Sequence, residues 1–287
     1  MEKTILEYIN WAIEYLEEQR IENPRCNAEA IFSFVSGKNR LQIYLEGKEK
    51  WEEKQAEEFI SLVKKRAQKR YPLHYLIKKR EFYGLDFKTI PGVFIPRPET
   101  EVLVETVINM VKCLNGKRIN LLEIGTGSGC IAIALAKFIA NVKIIATDIS
   151  PLALKIAREN AYLNKTDEKI EFIHSDLFAS VPNQEFEMIV SNPPYIARSE
   201  MLKLPPEVKF EPSLALDGGE DGLDYIKKIV EISPDYLSAK GIVIMEIGFG
   251  QKEKVKHIFS LSGFKKIQFI KDYAGIDRVV VLYRNYG

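Results

Sequence analysis

Apolar side chains recur every three or four residues from Thr4 to Leu76, as in Ile5, Ile9, Ala12, Ile13 and Leu16, the spacing that lines one face of a helix. Pro24 and Gly37 punctuate this run, which predicts a small all-helical domain whose last long helix covers residues 51–69. After Arg80 the period changes. Residues 81–95 alternate aromatic or aliphatic with polar positions around Gly84 and Pro91, predicting a β-hairpin linker. Then come helix 99–111, strand 119–124, helix 129–139, strand 142–147, helix 151–163 and strands 170–173 and 188–190. Such alternation predicts a parallel sheet with right-handed crossovers and helices on both faces. Helix 223–236, strand 242–247 and helix 252–261 precede strands 265–271 and 278–283, which are joined only by Asp-Tyr-Ala-Gly-Ile-Asp. That connection is too short for a crossover, so the last strand runs antiparallel. The expected organisation is therefore a helical domain over 1–80, a hairpin linker over 81–95 and an α/β domain over 96–287.

Bulk composition narrows the function classes. Of 287 residues, 46% are hydrophobic and 28% charged, which suits one large and one small globular domain and excludes a fibrous or disordered chain. Lys and Arg number 41 against 40 Asp and Glu, for a net charge of +1, so neither nucleic acid nor a membrane is among the expected partners. The local exception is Lys64, Lys65, Arg66, Lys69, Arg70, Lys78, Lys79 and Arg80, a run that meets no acidic residue. It reads first as a solvated helix face and second as a docking surface for an acidic partner or RNA. Cys26, Cys113 and Cys130 form no CxxC pair, and His74, His174 and His257 stand apart from one another. Reduced thiols and no metal are expected. No segment approaches the roughly 20 apolar residues needed to span a bilayer, which suggests a soluble, cytoplasmic protein.

Candidate chemistry begins in Leu121-Leu-Glu-Ile-Gly-Thr-Gly-Ser-Gly-Cys130, where Gly125, Gly127 and Gly129 lie between a predicted strand and helix. A glycine turn there lets backbone approach a nucleotide-like ligand, with Thr126 and Ser128 in the same loop. By itself it equally suits a tight βα connection. Asp148 ends the next strand, where a carboxylate accepts from ribose hydroxyls, the alternative being a cap near Ser150. Asp176 follows the third strand, placed to accept from an adenine amine with Leu177 against the ring, or to serve as a turn residue. Acids at successive strand ends favour an adenosine site. The pattern is GxGxG, and Glu123 stands two residues before it. An acid so close suits a diphosphate poorly and suits the cationic, phosphate-free S-adenosylmethionine, with Glu123 in its pocket.

The run Ile189-Val-Ser-Asn-Pro-Pro-Tyr-Ile196 sends a buried strand into two prolines. Pro193 and Pro194 must end it, since proline lacks an N–H and fixes φ. Asn192 Oδ1 and the Pro193 carbonyl are then two acceptors on stiff backbone, able to hold both hydrogens of an –NH₂ group, and Tyr195 offers a face for a planar group. Drawing on those hydrogens raises electron density at an amide or aniline-like nitrogen as it attacks a methyl group. A merely rigid turn is the alternative.

These residues resemble the Asn-Pro-Pro-Tyr amino-methyltransferases, which act on adenine N6, guanine N2 or glutamine N5. Ile95-Pro-Arg-Pro-Glu-Thr-Glu101, the segment Glu211–Leu223 and Ala274-Gly-Ile-Asp-Arg-Val-Val280 look like the release factor glutamine methyltransferase family, HemK/PrmC. The resemblance runs over residues 71–283. The parallel sheet with its antiparallel last strand likewise resembles the class I S-adenosylmethionine-dependent methyltransferase fold. The family resemblance implies transfer of a methyl group to glutamine N5 of the Gly-Gly-Gln motif in class I peptide chain release factors, with S-adenosylhomocysteine as product. It places residues 125–129, Asp148 and Leu177 on the cofactor, Asn192 on cofactor and glutamine, and Pro193, Pro194 and Tyr195 on the substrate. Phe94 and Arg97 would stand at the entrance. The rival readings are an adenine N6 methyltransferase acting on DNA or RNA, a nucleotide-dependent oxidoreductase, and a non-catalytic cofactor-binding module.

Overall fold

The computed structural model describes residues 3–112 and 117–285; Cys113 lies outside them. The chain forms two compact units, one of residues up to Lys79 together with Pro205–Phe210, the other of Arg80–Leu204 and the residues from Glu211 onward.

The first unit contains α1 (Ile5–Glu18), α2 (Pro24–Ser36), α3 (Arg40–Leu45), α4 (Glu53–Lys69) and α5 (Leu73–Ile77). Local chemistry sets their ends. Thr4 with Glu7 and Asn39 with Gln42 form capping boxes that satisfy the first N–H groups of α1 and α3. Pro24 opens α2, and Gly37 closes it at φ 70°. Ile5, Ile9, Ala12 and Leu16 of α1 pack with Ile31 and Phe32 of α2 and Phe59, Val63 and Ala67 of α4.

The expectation of a solvated basic face holds for Lys64 and Lys65, which are exposed, and fails for Arg66, which is buried. Arg66 shares the inward face of α4 with Val63 and Ala67. Its Nε donates to Asn27 Oδ1 at 2.8 Å, and its Nη1 donates to Glu207 Oε1 at 3.1 Å. The guanidinium therefore ties α2, α4 and Pro205–Phe210 into one unit. Arg66→Met removes these bonds and lowers stability by about 1–3 kcal/mol, whereas Lys64→Glu or Lys65→Glu stays within about 0.5 kcal/mol. Urea denaturation measures both, and equal effects would refute the structural role of Arg66.

Strands β1 (Lys79–Phe82) and β2 (Leu85–Lys88) form a two-stranded hairpin. Tyr83 and Gly84 turn it with both φ angles positive, at 51° and 70°, as a two-residue hairpin turn requires. There follow α6 (Glu101–Lys112), β3 (Ile119–Ile124), α7 (Cys130–Phe138), β4 (Val142–Asp148), α8 (Pro151–Leu163), β5 (Ile170–His174) and β6 (Phe186–Ser191). The chain closes with α9 (Arg198–Met201), α10 (Asp224–Ile232), β7 (Leu237–Glu246), α11 (Lys252–Ser260), β8 (Lys266–Lys271) and β9 (Asp277–Tyr283). Helix α10 stops earlier than its periodicity predicts, and a 3₁₀ turn containing Pro234 succeeds it. Proline has no N–H to continue the helical ladder.

The seven-stranded sheet has the order β5-β4-β3-β6-β7-β9-β8. β9 is antiparallel to both neighbours and lies between β7 and β8. Successive strand residues point to opposite faces: Leu121, Met188, Val190 and Ile244 pack with α6 and α7, while Leu122, Ile189, Val243 and Met245 pack with α10 and α11. Both faces are covered, which is why the central strands read as nearly continuous apolar runs. The order reverses between β3 and β6, and a ligand crevice opens beyond the carboxyl ends of strands at such a point.

Candidate active site

Strand register brings the predicted residues to one end of the sheet. Ile124 pairs with Thr147 of β4 and with Ser191 of β6, so Gly125, Asp148 and Asn192 follow three neighbouring strand ends. Asp148 pairs in turn with His174, which puts Asp176 and Leu177 just beyond β5.

The three glycines of the loop do different work. Gly125, Gly127 and Gly129 have φ of 75°, 56° and 84°, which disfavours any side chain. A Cβ on Gly125 or Gly127 would meet nothing within 4 Å, whereas one on Gly129 would lie 2.8 Å from Ile133 Cδ1 and 3.1 Å from Ala157 Cβ. Gly129 therefore lets α7 pack on α8, and the first two leave open space over the turn. Thr126 and Ser128 are buried. The Thr126 N–H donates to Thr147 O at 2.8 Å, and Ser128 O accepts from Asn160 Nδ2 at 2.9 Å, so both residues hold the loop's shape.

Asp148 Oδ2 accepts from Gly127 N–H and Oδ1 from Ser150 N–H, each at 2.8 Å. The cap of α8 is Ser150, which accepts from Ala153 N–H at 3.2 Å. Each Asp148 oxygen retains a lone pair for a hydroxyl. Burial pushes its pKa up, and these N–H groups oppose the shift. Leu177, half-buried, has φ 50°, unusual for a non-glycine residue. Ser175 Oγ holds that turn by donating to Leu177 O and accepting from Ser180 N–H, both at 2.9 Å. The Asp176 side chain is exposed.

Glu123 is fully buried. Its Oε2 accepts from Thr126 Oγ1 at 2.7 Å, while Oε1 is buried with no hydrogen-bond partner within geometric limits among the described residues. Desolvation pushes its pKa from 4.5 to about 7; the Thr126 hydroxyl and the nearby Ala132 N–H oppose the rise, and Asp148 adds to it. An orphaned buried carboxylate oxygen beside an open glycine cradle fits a cation and repels a phosphate.

Pro193 ends β6, and the chain turns into a corner supported from three sides. Ile196 N–H donates to Leu216 O at 3.0 Å, and Gly218 N–H donates to Ile196 O at 2.8 Å. Gln251 Nε2 donates to Tyr195 O at 2.9 Å. A Cβ on Gly218 would lie 2.7 Å from Pro194 O, and one on Gly222 would lie 2.4 Å from Tyr195 O. Asn192 Nδ2 donates to Thr100 Oγ1 at 3.1 Å, and Tyr195 OH donates to Glu246 Oε1 at 3.1 Å. Among the described residues, neither Asn192 Oδ1 nor the Pro193 carbonyl accepts a hydrogen bond. Arg97 stacks over Phe94, 4.7 Å from the ring centroid, and pairs with buried Glu211, whose Oε2 also accepts from Ile95 N–H at 3.1 Å.

Thr100, Glu211, Glu246 and Gln251 were not singled out from the sequence. Thr100 and Glu211 lie within segments whose likeness was noted, and Glu246 is a carboxylate at a strand end, the same signal that marked Asp148. Gln251 carries no such signal. Burial pushes the Cys130 thiol up to about 12, so it stays protonated and inert. Among the described residues no His, Cys, Asp or Glu cluster is placed to hold a metal ion, and no helix is long and apolar enough to cross a membrane.

A sheet of this order, with a phosphate-averse cradle at its reversal point, is that of a class I S-adenosylmethionine-dependent methyltransferase. The methyltransferase small domain model matches residues 84–204, and the PrmC N-terminal domain model matches residues 7–77. The chain is 39% identical over 278 residues to the release factor glutamine methyltransferase of Geobacter sulfurreducens, covering 96% of this chain and 95% of that one. It is 41% identical over 259 residues to that of Thermodesulfovibrio yellowstonii, covering 90% and 92%. The chain belongs to the release factor glutamine methyltransferase family. Its fold is also that of a T. thermophilus 16S rRNA N2 G1207 methyltransferase solved with AdoMet and guanosine, at TM-score 0.53 and 18% identity over 72% of this chain and 50% of that one.

The Glu123 carboxyl gives a pH signature. Its raised folded pKa means that ionisation opposes folding, so its contribution to stability is fully present below pH 4.5 and is lost as pH rises to about 7. Glu123→Gln should match the parent near pH 4 and be more stable near pH 8, by at most about 3 kcal/mol. Binding of a cation beside Glu123 should tighten as pH rises through 7 in the parent and lose that dependence in the variant. Denaturation and calorimetric titration with S-adenosylmethionine across pH measure both. A parallel pH dependence in the two proteins would exclude this role.

Proposed function

We propose that the chain transfers a methyl group from S-adenosylmethionine to the side-chain amide nitrogen, N5, of the glutamine in the Gly-Gly-Gln motif of class I peptide chain release factors, in the cytoplasm. The observation that supports this most directly is the state of the corner: Asn192 Nδ2 is committed to Thr100, while Oδ1 and the Pro193 carbonyl meet no donor among the described residues.

Gly125, Gly127, Asp148, Glu123, Asp176 and Leu177 would hold the cofactor. The open glycine backbone admits it, Asp148 accepts from ribose hydroxyls, Glu123 meets a positive charge, and Asp176 with Leu177 receives the base. When bound, the cofactor supplies an electrophilic methyl group on a sulfonium that departs as a neutral thioether. Asn192 Oδ1 and the Pro193 carbonyl each accept one N–H of the glutamine amide. Held this way, the amide plane is fixed against the Tyr195 ring and the nitrogen's π density is directed at the methyl carbon. During methyl transfer positive charge would develop at the glutamine nitrogen, and Asn192 Oδ1 and the Pro193 carbonyl would strengthen their hold on its hydrogens, stabilising the transition state more than the ground state. One N–H proton then leaves to solvent. Tyr195 takes no part in proton transfer: burial and the neighbouring Glu246 raise its pKa.

Phe94 and Arg97, fixed by Glu211, stand on the substrate side, and the helical domain over 1–80 docks the release factor. Exposed Lys64 and Lys65 are the candidates for that contact.

Incubation with labelled S-adenosylmethionine and purified release factor, followed by peptide mapping, should place one methyl group on the glutamine. Asn192→Ala should lower kcat by roughly 100-fold or more and leave the melting temperature near that of the parent. Label passing into DNA or RNA and not into the factor would favour the adenine N6 reading. Normal turnover by Asn192→Ala would remove the role assigned to the corner.

A further inference from the structure

Three hydrogen bonds behind the corner share one polarity. Asn192 Nδ2 donates to Thr100 Oγ1 at 3.1 Å, Thr100 Oγ1 donates to Glu246 Oε2 at 2.7 Å, and Tyr195 OH donates to Glu246 Oε1 at 3.1 Å. Thr100 and Glu246 are each 1% exposed, so water does not substitute for any of these partners. A carboxylate only accepts, and here it accepts on both oxygens. Thr100 has a single hydroxyl proton and gives it to Glu246. Only lone pairs are left to face Asn192, and lone pairs select the NH₂ end of an amide.

An asparagine amide has nearly the same shape when turned end for end. The reversed rotamer would set Oδ1 against the lone pairs of Thr100 and present NH₂ to the substrate. Two NH₂ groups would then meet where an acceptor is needed. Packing alone discriminates weakly between the two orientations; the fixed direction of the Thr100 hydroxyl does so strongly.

We infer that Thr100 and Glu246 are positioning residues for methyl transfer: the buried carboxylate orients the Thr100 hydroxyl, which orients the Asn192 amide so that Oδ1 faces the substrate nitrogen, and the same carboxylate pins the Tyr195 ring. This inference rests on the glutamine reading above for its consequence and on the hydrogen-bond geometry alone for its polarity. Burial disfavours the ionised form of Glu246, and the two O–H donors together with the charge of Arg278 oppose that effect.

The test uses the full chain in three forms: parent, Thr100→Val and Thr100→Ser. Valine keeps the volume and loses the hydroxyl; serine keeps the hydroxyl. In nitrogen-edited NMR spectra without substrate, the Asn192 side-chain NH₂, assigned by its loss in Asn192→Ala, should exchange slowly in the parent and Thr100→Ser and rapidly in Thr100→Val. With release factor, Thr100→Val should lose roughly 10–100-fold in kcat, while KM and S-adenosylmethionine affinity change by less than about 3-fold and Thr100→Ser recovers most of the rate. If Thr100→Val does not fold, Glu246→Gln provides the same readouts, because its amide can no longer accept from both hydroxyls.

NH₂ exchange independent of Thr100 would overturn the inference. A kcat loss that merely follows melting temperature and cofactor affinity, with serine no better than valine, would overturn it as well. NH₂ protection that depends on Thr100 in a protein unable to methylate the factor would sustain the polarity and defeat the glutamine reading instead.

Discussion

Pro193 has no N–H, so β6 cannot continue between β3 and β7, and the site is shaped by what the backbone does instead. A strand that ends in the middle of a sheet leaves polar groups to satisfy at its end. Here the segment around residues 216–222 supplies them through Leu216 and Gly218, and Gln251 adds a bond to the Tyr195 carbonyl. Glycine at 218 and 222 allows that segment to lie against Pro194 and Tyr195 at distances no Cβ would tolerate. The corner is thereby fixed from outside. Asn192 Oδ1 and the Pro193 carbonyl are left without a hydrogen-bond donor among the described residues.

The same end of the sheet gathers three carboxyl groups, and burial raises the pKa of each. They are accommodated differently. Glu246 receives two hydroxyl protons and the field of Arg278. Asp148 receives two backbone N–H groups. Glu123 receives one hydroxyl, and its other oxygen has no hydrogen-bond partner within geometric limits among the described residues. The remaining demand for positive charge therefore lies under the glycine turn, where a dinucleotide would need to place its phosphates. A sulfonium and an ammonium relieve that demand, and a diphosphate increases it.

Strand and helix periodicity made the fold legible, because a sheet covered on both faces writes itself as continuous apolar strands between amphipathic helices. The antiparallel β9 followed from the short link after Lys271, and the glycine turn and Asn-Pro-Pro-Tyr announce themselves locally. What escaped the sequence depends on tertiary neighbours. Thr100 and Glu246 are 146 residues apart and meet only when the fold sets the 3₁₀ turn before α6 against the end of β7, the neighbour of β6. Arg66 looked like one charge in a basic run, and its burial was decided by its face of α4 and by Glu207 far along the chain. Long-range pairing of polar groups leaves no period to read.

The two open acceptors also bear on how far the proposed reaction goes. A primary amide would offer both hydrogens, one to Asn192 Oδ1 and one to the Pro193 carbonyl. After one transfer the nitrogen carries a single hydrogen and a methyl group. One acceptor must then face carbon, and a desolvated acceptor without a donor costs about 1–3 kcal/mol, so the product binds roughly 10–100-fold more weakly than the substrate. A second transfer would need the methylated amide to be held for attack with the methyl where a hydrogen bond belongs, and the rigidity of Pro193 and Pro194 prevents the corner from opening to accept it. In the proposed reaction, the stiffness that aligns the first transfer would therefore also limit it to one methyl group and favour release.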